Sequence, residues 1–147
     1  MIPLKLTIKN FMCYRDNVPP LDLESIHVAC LCGANGHGKS ALLDAMTWAL
    51  WGQSRARTQE ELVHLGQQDM SVDLEFRARG QRYRVSRRYT RTGQGKTLLE
   101  LQVVSGTVLS PITGNTVRET EALIRDILHM DYDTFVNTAF LLQGHAD

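Results

Sequence analysis

Gly33-Ala-Asn-Gly-His-Gly-Lys-Ser40 is the stretch on which the fold turns. Its spacing, Gly33-x4-Gly38-Lys39-Ser40, is that of a P-loop. Glycines let backbone N–H groups converge on phosphate oxygens with no Cβ in the way. A helix starting near Lys39 would aim its positive end at the same anion. The chemistry then assigns Lys39 to the β and γ phosphates and the Ser40 hydroxyl to Mg²⁺. The bland alternative is a glycine-rich turn that happens to precede a helix. The flanks speak against it. Ile26 to Cys32 reads as a largely buried strand, and Leu42, Ala45, Met46, Ala49 and Leu50 recur at helical spacing up to a natural stop at Gly52.

Outward from the motif, 147 residues suit one compact domain with a sizeable core. Sixteen basic residues balance sixteen acidic ones, so overall charge points to neither nucleic acid nor a membrane surface. Met1 to Lys5 lacks the pattern of a signal peptide, and Ala41 to Trp51 is too short and too polar at Asp44 to cross a bilayer. Cys13, Cys30 and Cys32 form no disulfide-like or metal-binding pattern. Cys30 and Cys32, alternating in an apolar run, read as core or half-buried residues, and a cytoplasmic location with no membrane contact is the expectation.

Leu4, Leu6 and Ile8 alternate with Lys5, Thr7 and Lys9, which predicts an opening strand with one buried face. Leu21 to Leu23 is a candidate short strand after a polar loop. Trp48 and Trp51 read as packing residues on the P-loop helix. Residues 53–68 form a loop with a helical turn near Thr58 to Glu61. Ser71 to Ala78, Arg82 to Thr90 and Thr97 to Val104 then predict an antiparallel meander, and Pro111 to Asn115 a turn. Thr116-Val-Arg-Glu119 resembles a capping box opening a helix. A second short helix is expected from Asp131 through Phe135, with Thr138 to Leu142 extending as a strand.

A P-loop alone does not name a reaction. Hydrolysis also needs a strand-end carboxylate for the metal, and no apolar run ending in Asp or Glu follows downstream. An Asn-Lys-x-Asp guanine-reading motif is also missing from the sequence. Three stretches together carry a resemblance: Asn10-Phe11, Gly33 to Ala45, and Leu62-Val-His-Leu-Gly66. Phe135-Val-Asn-Thr-Ala-Phe-Leu-Leu-Gln-Gly144 extends it. In this arrangement the sequence resembles the SMC-like DNA-repair ATPases, and most the SbcC-type exonuclease subunits with their archaeal and eukaryotic counterparts.

The resemblance implies an α/β P-loop NTPase fold, the N-terminal lobe of an ABC/SMC-like head, with an antiparallel β meander and helices packed on the sheet. It implies that residues 1–147 are an N-terminal half-head, whose coiled coil and C-terminal half would bring the missing carboxylates. Carried over by position, Asn35, Gly36, His37, Gly38, Lys39, Ser40 and Ala41 wrap the phosphates of ATP. Val63, His64 and Leu65 line the adenosine side. Gln143 joins Ser40 on Mg²⁺ and senses the attacking water. For Gln143 the alternative is an exposed strand-end residue, and for His64 a surface histidine. Two positions depart from the family. Met12 stands where an arginine usually encloses the base, and His37 where a small residue is common; its imidazole would point outward, towards a second head. The implied partners are the chain's own C-terminal half-head, a second head in a homodimer, an SbcD-type nuclease and double-stranded DNA.

Between Arg77 and Lys96 stand eight basic residues and no acidic ones, with Tyr83 and Tyr89 interleaved. One reading is a surface for the DNA backbone; the other is the solvated face of the strands. Arg55 and Arg57 are weaker candidates of the same kind. Three rival functions remain at this point: a complete small P-loop kinase, a non-enzymatic DNA-binding module, and a chromosome-structural SMC head.

Overall fold

The computed structural model describes residues 1–24 and 39–139, with residues 39, 138 and 139 described through their backbone alone. Six strands form one sheet: β1 (Ile2–Lys9), β2 (Leu21–Asp22), β3 (Asp69–Ala78), β4 (Gln81–Thr90), β5 (Lys96–Ser105) and β6 (Val108–Pro111). Their order is β2-β1-β3-β4-β5-β6, and every described pairing is antiparallel. The predicted strand Ile26 to Cys32 lies outside the described residues.

Alternation fixes which face is buried. Leu4, Leu6 and Ile8 of β1, Met70, Val72, Leu74 and Phe76 of β3, and Val85 and Tyr89 of β4 all enter the core. Ser71, Asp73 and Glu75 alternate with them on the other face. Between β3 and β4 the two linking residues, Arg79 and Gly80, have φ of 55° and 75°. Both are left-handed, as a type I′ hairpin requires, so the turn's twist matches that of the strands.

Helix α1 (Lys39–Trp51) packs on the inner face against β3 and β4. The sequence suggests one apolar stripe, but the helix is buried nearly all round: Leu42 and Met46 are half-buried, whereas Asp44 and Thr47 are buried. A central helix needs no polar face. Trp48 and Trp51 are packing residues as expected. Trp48 lies against Phe11 at 5.7 Å, and its indole N–H donates to Gln59 Oε1 at 3.2 Å. The Trp51 indole N–H donates to the Met130 carbonyl at 3.0 Å. At Gly52, φ is +69° and the helix stops.

Helix α2 (Val117–Leu128) begins at the predicted cap: the Thr116 hydroxyl accepts from the Glu119 amide at 3.1 Å. The reciprocal bond is displaced by one residue, since Glu119 Oε2 accepts from the Asn115 amide at 2.8 Å. Helix α3 (Tyr132–Ala139) follows, its first turn capped by Asp131, whose Oδ1 accepts from the Thr134 amide at 2.8 Å. Here the expectation needs correction. Thr138 and Ala139, expected in a strand, still belong to α3. Phe135 docks on Trp51 with ring centroids 5.1 Å apart, which anchors the helix from its middle. Residues 140–142 lie outside the described residues. A second correction concerns Pro111, expected in a turn, which ends β6.

Candidate functional site

Lys39 and Ser40 form the first turn of α1. That turn carries no acidic side chain, so the helix's positive end is not neutralised by its own residues. Ser40 is half-buried and Ala41 buried, a small residue where the helix meets the core. By residue type this turn suits a phosphate group with its metal: helix N-terminal amides without an acceptor in their own ladder, a lysine and a serine. Asn35, Gly36, His37, Gly38 and Gln143 lie outside the described residues. No group of three or more metal-ligating side chains occurs among the described residues.

The segment from Val63 to Leu65 is fixed to the exit of β1. Phe11 and Val63 form an isolated antiparallel bridge. The Met12 amide donates to the Leu62 carbonyl at 2.6 Å, and the His64 amide to the Asn10 carbonyl at 2.8 Å. His64 Nδ1 lies 2.7 Å from the Met12 carbonyl. A carbonyl only accepts, so this bond takes the proton on Nδ1 and turns Nε2 away from it. Asn10 and Met12 reach this geometry at φ of 54° and 52°, where non-glycine residues are uncommon. The three residues differ in what they offer. Val63 has its side chain in the core, His64 is half-buried, and Leu65 is 92% exposed. Through Phe11 and its contact with Trp48, the segment is tied to α1.

One turn after Ser40, Asp44 is buried at 5% exposure and held by Arg55. The guanidinium donates from Nη2 to Oδ2 at 2.7 Å and from Nε to both oxygens at 3.2 Å. The Asp44 bond holds the Arg55 pKa above its usual value, against the opposing effect of burial. Arg55 thereby pins the loop after α1 to the helix itself. The pairing gives Arg55 a structural role while its side chain stays 44% exposed. Only the sequence distance between the two residues concealed it.

The basic stretch divides. Arg87 is buried at 2% exposure, stacked over the Trp48 ring at 5.8 Å, with its Nη1 on Glu121 Oε1 at 3.0 Å and its Nε on the Ala49 carbonyl at 3.2 Å. Burial lowers its pKa, and Glu121 opposes that shift. Arg82 pairs with Glu24 at 2.8 Å and with Glu75 at 3.6 Å. Arg84 lies 3.6 Å from Asp73, and Arg91 donates to the Glu60 carbonyl at 2.6 Å. A DNA contact is therefore excluded for Arg87, and the solvated-face reading holds for Arg82 and Arg84. Arg77, Arg79, Arg88 and Lys96 are exposed and form no ion pair among the described residues.

Comparison with known proteins agrees with this architecture. A family described as an AAA domain matches residues 5–146, and the chain belongs to it. The fold is that of an AAA-type P-loop NTPase, and the chain is of the SbcC/Rad50 head type. It is 34% identical to the SbcC component of the SbcCD nuclease of Deinococcus radiodurans over 98% of its length. It is 36% identical to the DNA double-strand break repair Rad50 ATPase of Halobacterium salinarum over 97% of its length. The chain spans 16% of the length of each of these relatives. Among solved structures, the recombination mediator RecF with ATP superposes at a TM-score of 0.55 and 19% identity, covering 77% of this chain and 28% of that one. At that identity the likeness speaks for the fold alone.

Proposed function

We propose that this chain is the ATP-gripping, N-terminal half of the head of a DNA double-strand-break-repair ATPase. The observation that carries the reading is the acid-free first turn of α1, with Lys39 and Ser40 at the end of a P-loop motif. The SbcC and Rad50 relatives, matched over nearly the whole chain, supply the family context. Lys39 holds the β and γ phosphates, and amides from Asn35 to Ala41 surround them. Ser40 and Gln143 hold Mg²⁺, which when bound neutralises charge building between the phosphates. Leu65 and Nε2 of His64 face the adenosine, while Val63 acts from the core by fixing the backbone beneath them.

The carboxylates for hydrolysis come from the C-terminal half of the head, and the second active surface from another head. In the assembled protein, ATP-driven closure and reopening of the heads governs their grip on duplex DNA and an SbcD-type nuclease. Equilibrium binding of a fluorescent ATP analogue tests the first step: the chain binds it with Mg²⁺, and Lys39→Ala weakens binding at least about tenfold, the loss of one charge-assisted bond. Rapid ATP turnover by this chain alone, abolished by Lys39→Ala, would overturn the half-head assignment.

A further inference from the structure

Segment 63–65 and helix α1 are joined through one side chain, Gln59. It stands at the N-cap of the 3-10 turn Glu60–Leu62, which leads directly into that segment. A side chain at such a position ordinarily caps its own turn. Gln59 makes no such cap: its carbonyl closes the turn on the Leu62 amide at 3.0 Å, and its side chain reaches elsewhere. The Trp48 indole N–H donates to Oε1 at 3.2 Å, and Nε2 donates to the Thr97 hydroxyl at 3.4 Å. An indole N–H only donates, so the amide oxygen faces Trp48 and the amide nitrogen faces Thr97.

These partners belong to different elements. Trp48 is fully buried on α1, about two turns after Ala41. Thr97 is on β5, opposite Tyr89 of β4. From the same end of the sheet, the Tyr89 hydroxyl donates to Glu60 Oε1 at 2.5 Å and Arg91 Nη2 to the Glu60 carbonyl at 2.6 Å. The Glu60 bonds fix the turn to the sheet, and Gln59 ties it to the sheet and to α1 at once. Trp48 thereby meets the segment twice. One contact runs through Gln59, the other through the ring of Phe11, whose backbone bridges to Val63. Leu65, 92% exposed, has almost no packing of its own, so the backbone beneath it sets its place.

We infer that Gln59 is a positioning residue for the base of a bound nucleotide, holding segment 63–65 in register with the P-loop helix. This role rests on the proposed function, in which Lys39 and Ser40 grip phosphate while His64 and Leu65 meet the adenosine. A nucleotide spans both halves of that site, so its affinity depends on their spacing as well as on the contacts of each. The Gln59 amide is bonded at both ends within the protein, and it acts through segment 63–65 rather than on the ligand. Its loss frees the base-facing half and leaves the phosphate-facing half intact.

Displacement of a fluorescent ATP analogue from the whole chain in Mg²⁺ tests this, with ATP and inorganic tripolyphosphate as the two competitors. Tripolyphosphate offers the phosphates without a base, so the pair separates the two halves of the site. Gln59→Met keeps the length of the side chain and removes both of its bonds. It should weaken ATP about tenfold, the loss of two neutral hydrogen bonds, and leave tripolyphosphate within about twofold of wild type. Thr97→Val removes one of the two bonds and should weaken ATP about threefold, again sparing tripolyphosphate. It decides the matter alone if Gln59→Met does not fold. Lys39→Ala, by contrast, weakens both competitors. Equal losses for the two competitors in the Gln59 and Thr97 variants, as a general loosening of the fold would give, overturn the positioning role. So does the absence of any loss in a chain whose wild type binds both, and the nucleotide reading then stands. A wild type that binds neither overturns the nucleotide reading and the role together.

Discussion

Arg87 and Arg88 are neighbours on β4 and meet opposite worlds. Arg87 points inward, beneath the sheet, and holds the Ala49 carbonyl, the Trp48 ring and Glu121. Arg88 points outward to a notch where no carboxylate among the described residues pairs with it. The difference shows that a basic run is not one feature. A strand alternates its faces, so half of such a run is committed to the core side whatever its charge. Core-side arginines are retained only where a carboxylate and carbonyls receive them.

The largest effect should separate these two residues. Arg87→Ala leaves Glu121 and Ala49 without their donor and opens a void beside Trp48. Denaturant unfolding should register a loss of about 3 kcal/mol, the lower end of the range for breaking a buried pair, since Glu121 is partly exposed. Arg88→Ala should stay within about 0.5 kcal/mol of wild type. Similar losses in both would dissolve the distinction between the faces.

Gly52→Ala probes the same inner cluster from another side. A Cβ there meets Arg87 Nη1 at 2.9 Å and Glu121 Oε1 at 3.2 Å, and the residue sits at φ +69°. The left-handed backbone alone costs a non-glycine residue roughly 1–2 kcal/mol. A melting temperature lowered by several degrees is expected, and an unchanged one would mean that the Arg87 cluster yields easily. On the outer face, Arg84→Gln removes a partly exposed ion pair at 3.6 Å, and the change should be below about 1 kcal/mol.

The smallest effect concerns pH. The Tyr89 hydroxyl donates to Glu60 Oε1 at 2.5 Å and lowers the Glu60 pKa below its usual 4.5. A carboxylate depressed on folding contributes fully above that value, and the contribution fades as pH falls through the folded pKa. Stability of the wild type should therefore decline more steeply below pH 4.5 than that of Glu60→Gln. Parallel curves would show that the bond carries no linkage.

Local pattern made much of this fold legible. Alternation revealed β1 and the meander, Arg79-Gly80 marked the hairpin, and Thr116 with Glu119 marked the start of α2. Strand β6 escaped because all four of its residues are exposed, leaving no alternation to read. The length of α3 escaped because Phe135 anchors it on Trp51, a contact invisible in a local window. At the candidate site, the motif identified Lys39 and Ser40. Val63 was read as a lining residue although its side chain serves the core, because resemblance aligns backbones and not side-chain directions. Asp44 with Arg55, and Gln59 with Trp48, needed the tertiary fold to meet.

The connectivity of the sheet also orders its assembly in time. Strands β3 to β6 are joined consecutively by short turns, so they can zip together as each emerges from the ribosome. Strand β1 is made before α1, yet its longer partner β3 lies beyond that helix in the chain. Until β3 arrives, β1 has among the described residues only the two-residue β2 to pair with, and Leu4, Leu6 and Ile8 must wait as guests for a host not yet synthesised.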